Sequence, residues 1–111
     1  MGNVLAFCEF QSDQLRTSAL ANVSFARQVA KHHGGDVVIL LVGPGAQAAS
    51  AHAAKLAPKV VVVEDAALAN YLAETYAPVV ASVAKEQGAT VICATATAIG
   101  KDLVPRVAAL V

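Results

Sequence analysis

Four short apolar runs, spread along the whole chain, restrict its possible folds more than any other sequence feature. They are nearly continuous rather than alternating, they are rich in Val and Ile, and they cover residues 4–10, 37–42, 60–63 and 90–94. Strands that are buried on both faces have this pattern, which is typical of parallel sheets covered by helices. The runs therefore predict four parallel strands.

The segments between the runs have helical patterns. Within residues 18–33 the apolar positions Ala19, Val23, Ala26 and Ala30 lie on one helix face, and Gly34 and Gly35 then end the helix. Capping and proline signals predict four further helices, over residues 46–56, 65–73 with Asp65 as the cap, 78–88 with Pro78 in the first turn, and 100–111.

This alternation of strands and helices predicts one α/β domain over residues 1–111, with helices on both faces of a parallel sheet. We expect the strand order 3-2-1-4, which leaves the fourth strand at an edge. An unpaired edge is a site for pairing with another chain, so we expect the isolated segment to self-associate there. The last helix ends in apolar residues without a capping glycine, so we expect the domain to be incomplete.

Composition excludes several classes of protein. Hydrophobic residues make up 57% and charged residues 14% of the chain, against about 45–50% and about 25% in typical domains, which excludes disorder. The eight basic and eight acidic side chains cancel, so binding to nucleic acid or to a membrane surface lacks its electrostatic driving force. We see no signal peptide, no spanning segment and no disulfide framework, and we expect an intracellular protein.

An Ala- and Thr-rich stretch follows the fourth strand and enters the last helix. Ligands of open α/β sheets bind at this edge, and the N–H groups of the following helix can hold an anion. The candidate contacts for a nucleotide are Gly43, after the second strand, and Thr95, Thr97, Gly100 and Lys101. The alternative is tight packing between strand and helix, with Lys101 solvated.

Other candidate groups favour structural roles. The turn at residues 43–45 lacks the Gly-Lys-Ser/Thr ending of a phosphate-binding loop. Cys8 and Cys93 lie in neighbouring strands and are predicted to be buried small apolar groups rather than a redox pair.

We also expect no metal site and no catalytic group. His32 and His33 lie at a helix end, where the helix dipole favours a cationic histidine, and His52 is isolated. Glu64 and Asp65 are better explained by a helix cap than by acid–base catalysis.

Residues 100–109, which contain Gly-Lys-Asp and Pro-Arg-Val-Ala-Ala, resemble electron transfer flavoprotein alpha subunits. The resemblance covers nearly the whole chain and includes residues 7–9, 41–43, 61–65, 72–74 and 77–80. One departure is Phe10 after Glu9, where the family commonly has histidine.

The resemblance implies a three-layer α/β/α Rossmann-like fold of the adenine nucleotide alpha hydrolase-like kind. It also implies an electron carrier rather than an enzyme, which pairs with a beta subunit and receives electrons from acyl-CoA or other dehydrogenases. A later domain of the family's alpha subunits holds the FAD, so no FAD ligand is expected in this segment, which would act as a scaffold. The location implied is the bacterial cytoplasm or the mitochondrial matrix.

Two other interpretations remain open from the sequence. The chain could be a small adenine-nucleotide-binding module of the universal-stress-like class, using the five contacts named above. It could also be a purely structural fragment from a disrupted gene. Nucleotide binding would distinguish the first from a scaffold.

Overall fold

The computed structural model describes residues 2–65, 68, 71–95 and 97–110. Along this part of the chain the elements are β1 (Asn3–Phe7), β2 (Phe10–Gln11), β3 (Gln14–Leu15), α1 (Thr17–His33), β4 (Val37–Val42), α2 (Ala46–Ala54), β5 (Lys59–Val63), α3 (Ala73–Glu86), β6 (Ala89–Ala94) and α4 (Ala98–Leu110).

The main sheet consists of four parallel strands in the order β5-β4-β1-β6. This is the order predicted from the sequence. The central strand β1 pairs Leu5 with Val38 of β4 on one side and with Ile92 of β6 on the other. All six residues of β4 are buried, whereas most residues of the edge strands β5 and β6 are only half-buried. The continuous apolar runs therefore do form strands covered on both faces.

Helices cover both faces of the sheet, so the three-layer α/β/α fold is confirmed. Alternate side chains of the two central strands divide between two apolar clusters, one with Val4, Ala6, Ile39 and Leu41, the other with Leu5, Phe7, Val38 and Leu40. Helices α1 and α2 contribute mainly alanines to the first cluster, which lets them pack close to the sheet. Helices α3 and α4 contribute larger side chains, including Val80 and Leu103, to the second.

The predicted break at Pro78 is wrong, because α3 is one helix that continues through this proline. Proline removes the hydrogen bond to the carbonyl group four residues earlier. Here that loss lies near the start of the helix, while Tyr76, Ala77 and Val80 are buried around it. Burial of this apolar face outweighs one missing bond, so the helix stays whole.

Helix α3 begins at Ala73, where the helix predicted over residues 65–73 was expected to end. The N-cap position of α3 is Leu72, and no side chain caps it. Asp65 was predicted to cap a separate, earlier helix, and that cap stays a prediction. The separate helix predicted over residues 65–73 falls largely outside the described residues, because residues 66, 67, 69 and 70 are among those not described.

The first apolar run does not form a single strand. β1 ends at Phe7, and Phe10 instead begins a small antiparallel hairpin in which it pairs with Leu15. At the tip, Ser12 adopts a positive φ of 56°. Downstream, Gly34 ends α1 with a φ of 87°, as its position predicts. The last helix, α4, begins at Ala98 rather than at residue 100.

Within the described ranges, none of the helices is both long and apolar enough to cross a membrane.

Candidate functional site at the carboxyl ends of the strands

The crevice between the carboxyl ends of β1 and β6 is the point where the chain reverses its direction across the sheet. After β1 the chain moves to β4 and β5, and it then returns to β6 on the other side. Ligands of open α/β sheets bind at such switch points because the neighbouring loops diverge there. We refer to this place, formed by Phe7, Asn22 and Cys93, as the switch-point crevice.

A side chain of α1 closes the switch-point crevice. Asn22 is buried, and its Nδ2 donates hydrogen bonds to the carbonyl oxygens of Phe7 at 3.0 Å and of Cys93 at 3.4 Å. One amide group thereby joins the ends of two neighbouring strands to α1. The sequence analysis missed this residue, although the signal was present. Asn22 is a polar residue on the same helix face as Ala19 and Ala26.

The two threonines after β6 donate their hydroxyl groups within the protein. Thr95 Oγ1 donates to the carbonyl oxygen of Ser18 at 3.1 Å, and Thr97 Oγ1 donates to Glu9 Oε2 at 2.6 Å. The Thr97 oxygen also accepts a bond from the Gly100 N–H at 3.1 Å. Thr97 therefore caps the first turn of α4. The carboxylate that lies near this positive helix end belongs to the protein itself.

Gly100 allows α4 to start against the end of β6. A Cβ atom at this position would lie 1.9 Å from the carbonyl oxygen of Thr95. The neighbouring Lys101 side chain is exposed. These contacts support the tight-packing interpretation of the Ala- and Thr-rich stretch, while binding of a nucleotide by these residues stays a prediction.

Gly43 lies apart from the other four candidates and lines an open cavity of about 310 Å³. We name this space the carboxyl-end cavity, and its wall includes Phe7, Phe10, Arg16, Tyr71 and Tyr76. None of Thr95, Thr97, Gly100 and Lys101 lines it. The structure thus does not bring the five predicted contacts into one pocket.

Close packing at the cavity explains the glycine at position 43. Its φ is 122°, and a Cβ atom there would lie 3.2 Å from the Tyr76 hydroxyl oxygen. A larger residue would therefore be strained and would press against the ring.

Tyr71 and Tyr76 form an aromatic wall of the cavity, and both of their hydroxyl groups are hydrogen-bonded within the protein. Their rings pack edge to face at 5.0 Å. Tyr76 donates to the carbonyl oxygen of Leu68 at 2.8 Å, and Tyr71 donates to Asp102 Oδ2 at 2.9 Å. Burial, followed by the bond to the Asp102 carboxylate, raises the pKa of Tyr71 to about 12. The hydroxyl group of Tyr71 is therefore protonated and acts as a donor at neutral pH.

The two cysteines are free and buried, as predicted. Burial raises the pKa of the Cys8 thiol to about 12, and it also raises the pKa of Cys93. The thiolate is the reactive form of cysteine. We therefore expect iodoacetamide at about pH 8 to leave both thiols unmodified in the folded protein. Mass spectrometry should show two additions once guanidinium chloride unfolds the chain, and rapid labelling of the folded protein would contradict the expectation.

The acidic pair after β5 has a structural contact that was not anticipated. Glu64 Oε2 accepts a hydrogen bond from the backbone N–H of Gln47 at 2.6 Å. Gln47 lies in the first turn of α2, where backbone N–H groups have no partner within the helix. Glu64, which follows α2 in the sequence, supplies an acceptor for one of them. In the described part of the chain, no three His, Cys, Asp or Glu side chains are grouped as a metal site would require.

Comparisons with known proteins identify the family. Residues 4–111 match the model of the electron transfer flavoprotein domain. The chain is 35% identical over 109 residues to the electron transfer flavoprotein subunit alpha of Pseudomonas aeruginosa. This alignment covers 96% of this chain and 33% of that protein. It is 44% identical over 78 residues to the same subunit of Paracoccus denitrificans, covering 68% of this chain and 25% of that protein.

A mitochondrial protein is also similar to this chain. The mitochondrial electron transfer flavoprotein subunit alpha of Oryza sativa subsp. indica is 33% identical over 113 residues, covering 97% of this chain and 31% of that protein. The chain thus spans about a third of the length of the curated relatives it matches. On the evidence of the family match and these relatives, the chain belongs to the electron transfer flavoprotein family.

Proposed function

We propose that this chain is the amino-terminal scaffold segment of an electron transfer flavoprotein alpha subunit. It would support FAD-dependent electron transfer from acyl-CoA or other dehydrogenases, together with a beta subunit. The observation that carries this proposal is the family match over residues 4–111, in a chain that covers 33% of its Pseudomonas aeruginosa relative. The FAD would be held by the remainder of such a subunit. Bacterial and mitochondrial relatives favour the bacterial cytoplasm or the mitochondrial matrix as the location.

The geometry at the switch-point crevice supports a scaffold role. Asn22 and the Thr97–Glu9 pair use their polar groups to join α1, β1, β6 and α4. Such bonds make the strand ends rigid, and rigid elements are what hold a neighbouring cofactor domain in position. A segment of this kind contributes to electron transfer by positioning rather than by chemistry.

The exposed apolar side chains support contact with further polypeptide. Phe25 on α1 is 58% exposed, and Leu20, Val104 and Leu110 are also exposed. Exposed aromatic side chains such as Phe25 are typical of the centres of protein interfaces.

Co-expression with a tagged beta subunit of this family tests the proposal. We expect the two chains to co-purify as a 1:1 complex, measured by size-exclusion chromatography with light scattering, and we expect this preparation to be colourless. Phe25→Glu should weaken the complex if α1 takes part, whereas Gln28→Glu places the same charge at another exposed site on α1 and serves as the control. Failure to co-purify would contradict the partner assignment, and bound flavin would contradict the placement of the FAD.

We further propose that the isolated segment associates with itself along β6. No charged residue lies on this edge strand, and together with α4 it forms an apolar groove of about 230 Å³ that includes Ile92, Val104 and Val107. Uncharged edges of this kind pair readily with a second chain.

Light scattering at increasing concentration should therefore detect dimers or larger species. Val104→Lys, which places a charge in the groove, should shift the protein to a monomer. Ala109→Lys, at an exposed position on the same helix, should not. A monomer at all concentrations would rule out this mode of association.

A further inference from the structure

The β2–β3 hairpin, residues 10–15, forms one side of the carboxyl-end cavity. Phe10 begins the hairpin and Arg16 follows it, and both residues line the cavity. An isolated two-stranded hairpin is marginally stable in water. The position of this hairpin, and with it the width of the cavity mouth, therefore depends on the contacts that hold it against the rest of the domain.

The hairpin is held against α2 by apolar contacts and by one polar contact. The Leu15 side chain is buried in the cluster shared with α1 and α2, and the Phe10 ring passes close to Gly45 at the start of α2. The polar contact is a hydrogen bond from the backbone N–H of Leu15 to Nδ1 of His52, at 3.0 Å. His52 is half-buried on α2.

This hydrogen bond requires a neutral imidazole. Nδ1 of His52 accepts the Leu15 proton, so it must carry a lone pair rather than a hydrogen. In the protonated ring both nitrogens are donors, and the Leu15 N–H would then face another N–H group. The bond is therefore present at high pH and is lost when His52 gains a proton as the pH falls.

We propose that the β2–β3 hairpin is a pH-sensitive flap, which neutral His52 holds against α2 and which protonation of His52 loosens. Loosening moves Phe10 and Arg16 and widens the mouth of the carboxyl-end cavity. Histidine is the side chain whose charge ordinarily changes between about pH 5 and 8, which sets the pH range of the test.

The charged groups nearby do not replace the lost bond. Those on α2 and the elements packed against it are Asp13 and Arg16 at the hairpin, Arg27 on α1, Lys55 at the end of α2, Lys59 on β5 and Glu64 just after β5; β4 has none. Of the two acids in this set, Asp13 forms no ion pair with His52 in the described structure, and Glu64 accepts its bond from the Gln47 N–H at the other end of α2. Protonation thus removes an acceptor without adding an attractive contact between His52 and the hairpin.

Hydrogen exchange of the Leu15 amide, followed by NMR, tests the flap. Its protection factor, which corrects for the intrinsic pH dependence of exchange, should fall at least about fivefold between pH 7.5 and 5.5, because one hydrogen bond is lost. The fall should follow the titration of the His52 ring protons in the same sample. The protection factor of the core amide of Ile39, which is fully buried on β4, should stay constant.

His52→Asn provides the matched variant, because its amide oxygen is an acceptor that cannot be protonated in this range. In this variant the Leu15 protection factor should not depend on pH. His32→Asn changes an exposed histidine on α1 and should retain the fall. A constant protection factor in the unmodified protein, a fall that does not follow the His52 titration, or the same fall in His52→Asn would overturn the proposal.

Discussion

Replacement of Gly100 by alanine is expected to destabilise the domain by about 1–3 kcal/mol, the usual range for overpacking. The added Cβ would lie 1.9 Å from the Thr95 carbonyl oxygen and 3.1 Å from the carbonyl carbon. Because both are backbone atoms, no side-chain rotation can relieve the clash. The start of α4 would have to shift, and the bond from the Gly100 N–H to Thr97 Oγ1 would weaken with it.

The sign of this effect distinguishes packing from helix propensity. Alanine in place of glycine stabilises an exposed helix by about 1 kcal/mol, so propensity alone predicts the opposite change. Urea denaturation followed by circular dichroism measures the difference. Lys101→Ala, at the exposed neighbouring position on the same helix turn, should stay within about 0.5 kcal/mol of the unmodified protein. A Gly100→Ala protein at least as stable as the unmodified protein would disprove the close approach of α4 to β6.

The second large effect is expected at the switch-point crevice, where Asn22→Ala should lower the free energy of unfolding by about 1–3 kcal/mol. The substitution leaves two carbonyl groups, those of Phe7 and Cys93, without the Asn22 donor. The site is buried, so water does not readily replace the lost bonds. The same denaturation measurement gives the magnitude of the loss.

An exposed residue on the same helix serves as the control for Asn22→Ala. Gln28→Ala on α1 should change stability by no more than about 0.5 kcal/mol. Equal stability of the two variants would show that Asn22 does not join the strand ends.

Two residues that the sequence marked as candidate nucleotide contacts make hydrogen bonds within the protein instead. Thr97 and Gly100 were recognised as unusual because small residues followed a strand and preceded a helix. The pattern could not distinguish a ligand site from tight packing, because the protein groups that bond to such residues can lie far away in the sequence. The partner of Thr97 is Glu9, 88 positions away, and the partners of Asn22 are 15 and 71 positions away.

The sequence by itself determined the number of main strands, their parallel order and the positions of the helices α1, α2 and α4. Continuous apolar runs of this kind need cover on both faces, and only crossover helices provide it. Tertiary structure alone decided the end of β1 at Phe7, the continuity of α3 through Pro78 and the hydrogen bond from Leu15 to His52. In each case burial or a partner from another element outweighed the local preference, and local sequence patterns do not record such partners.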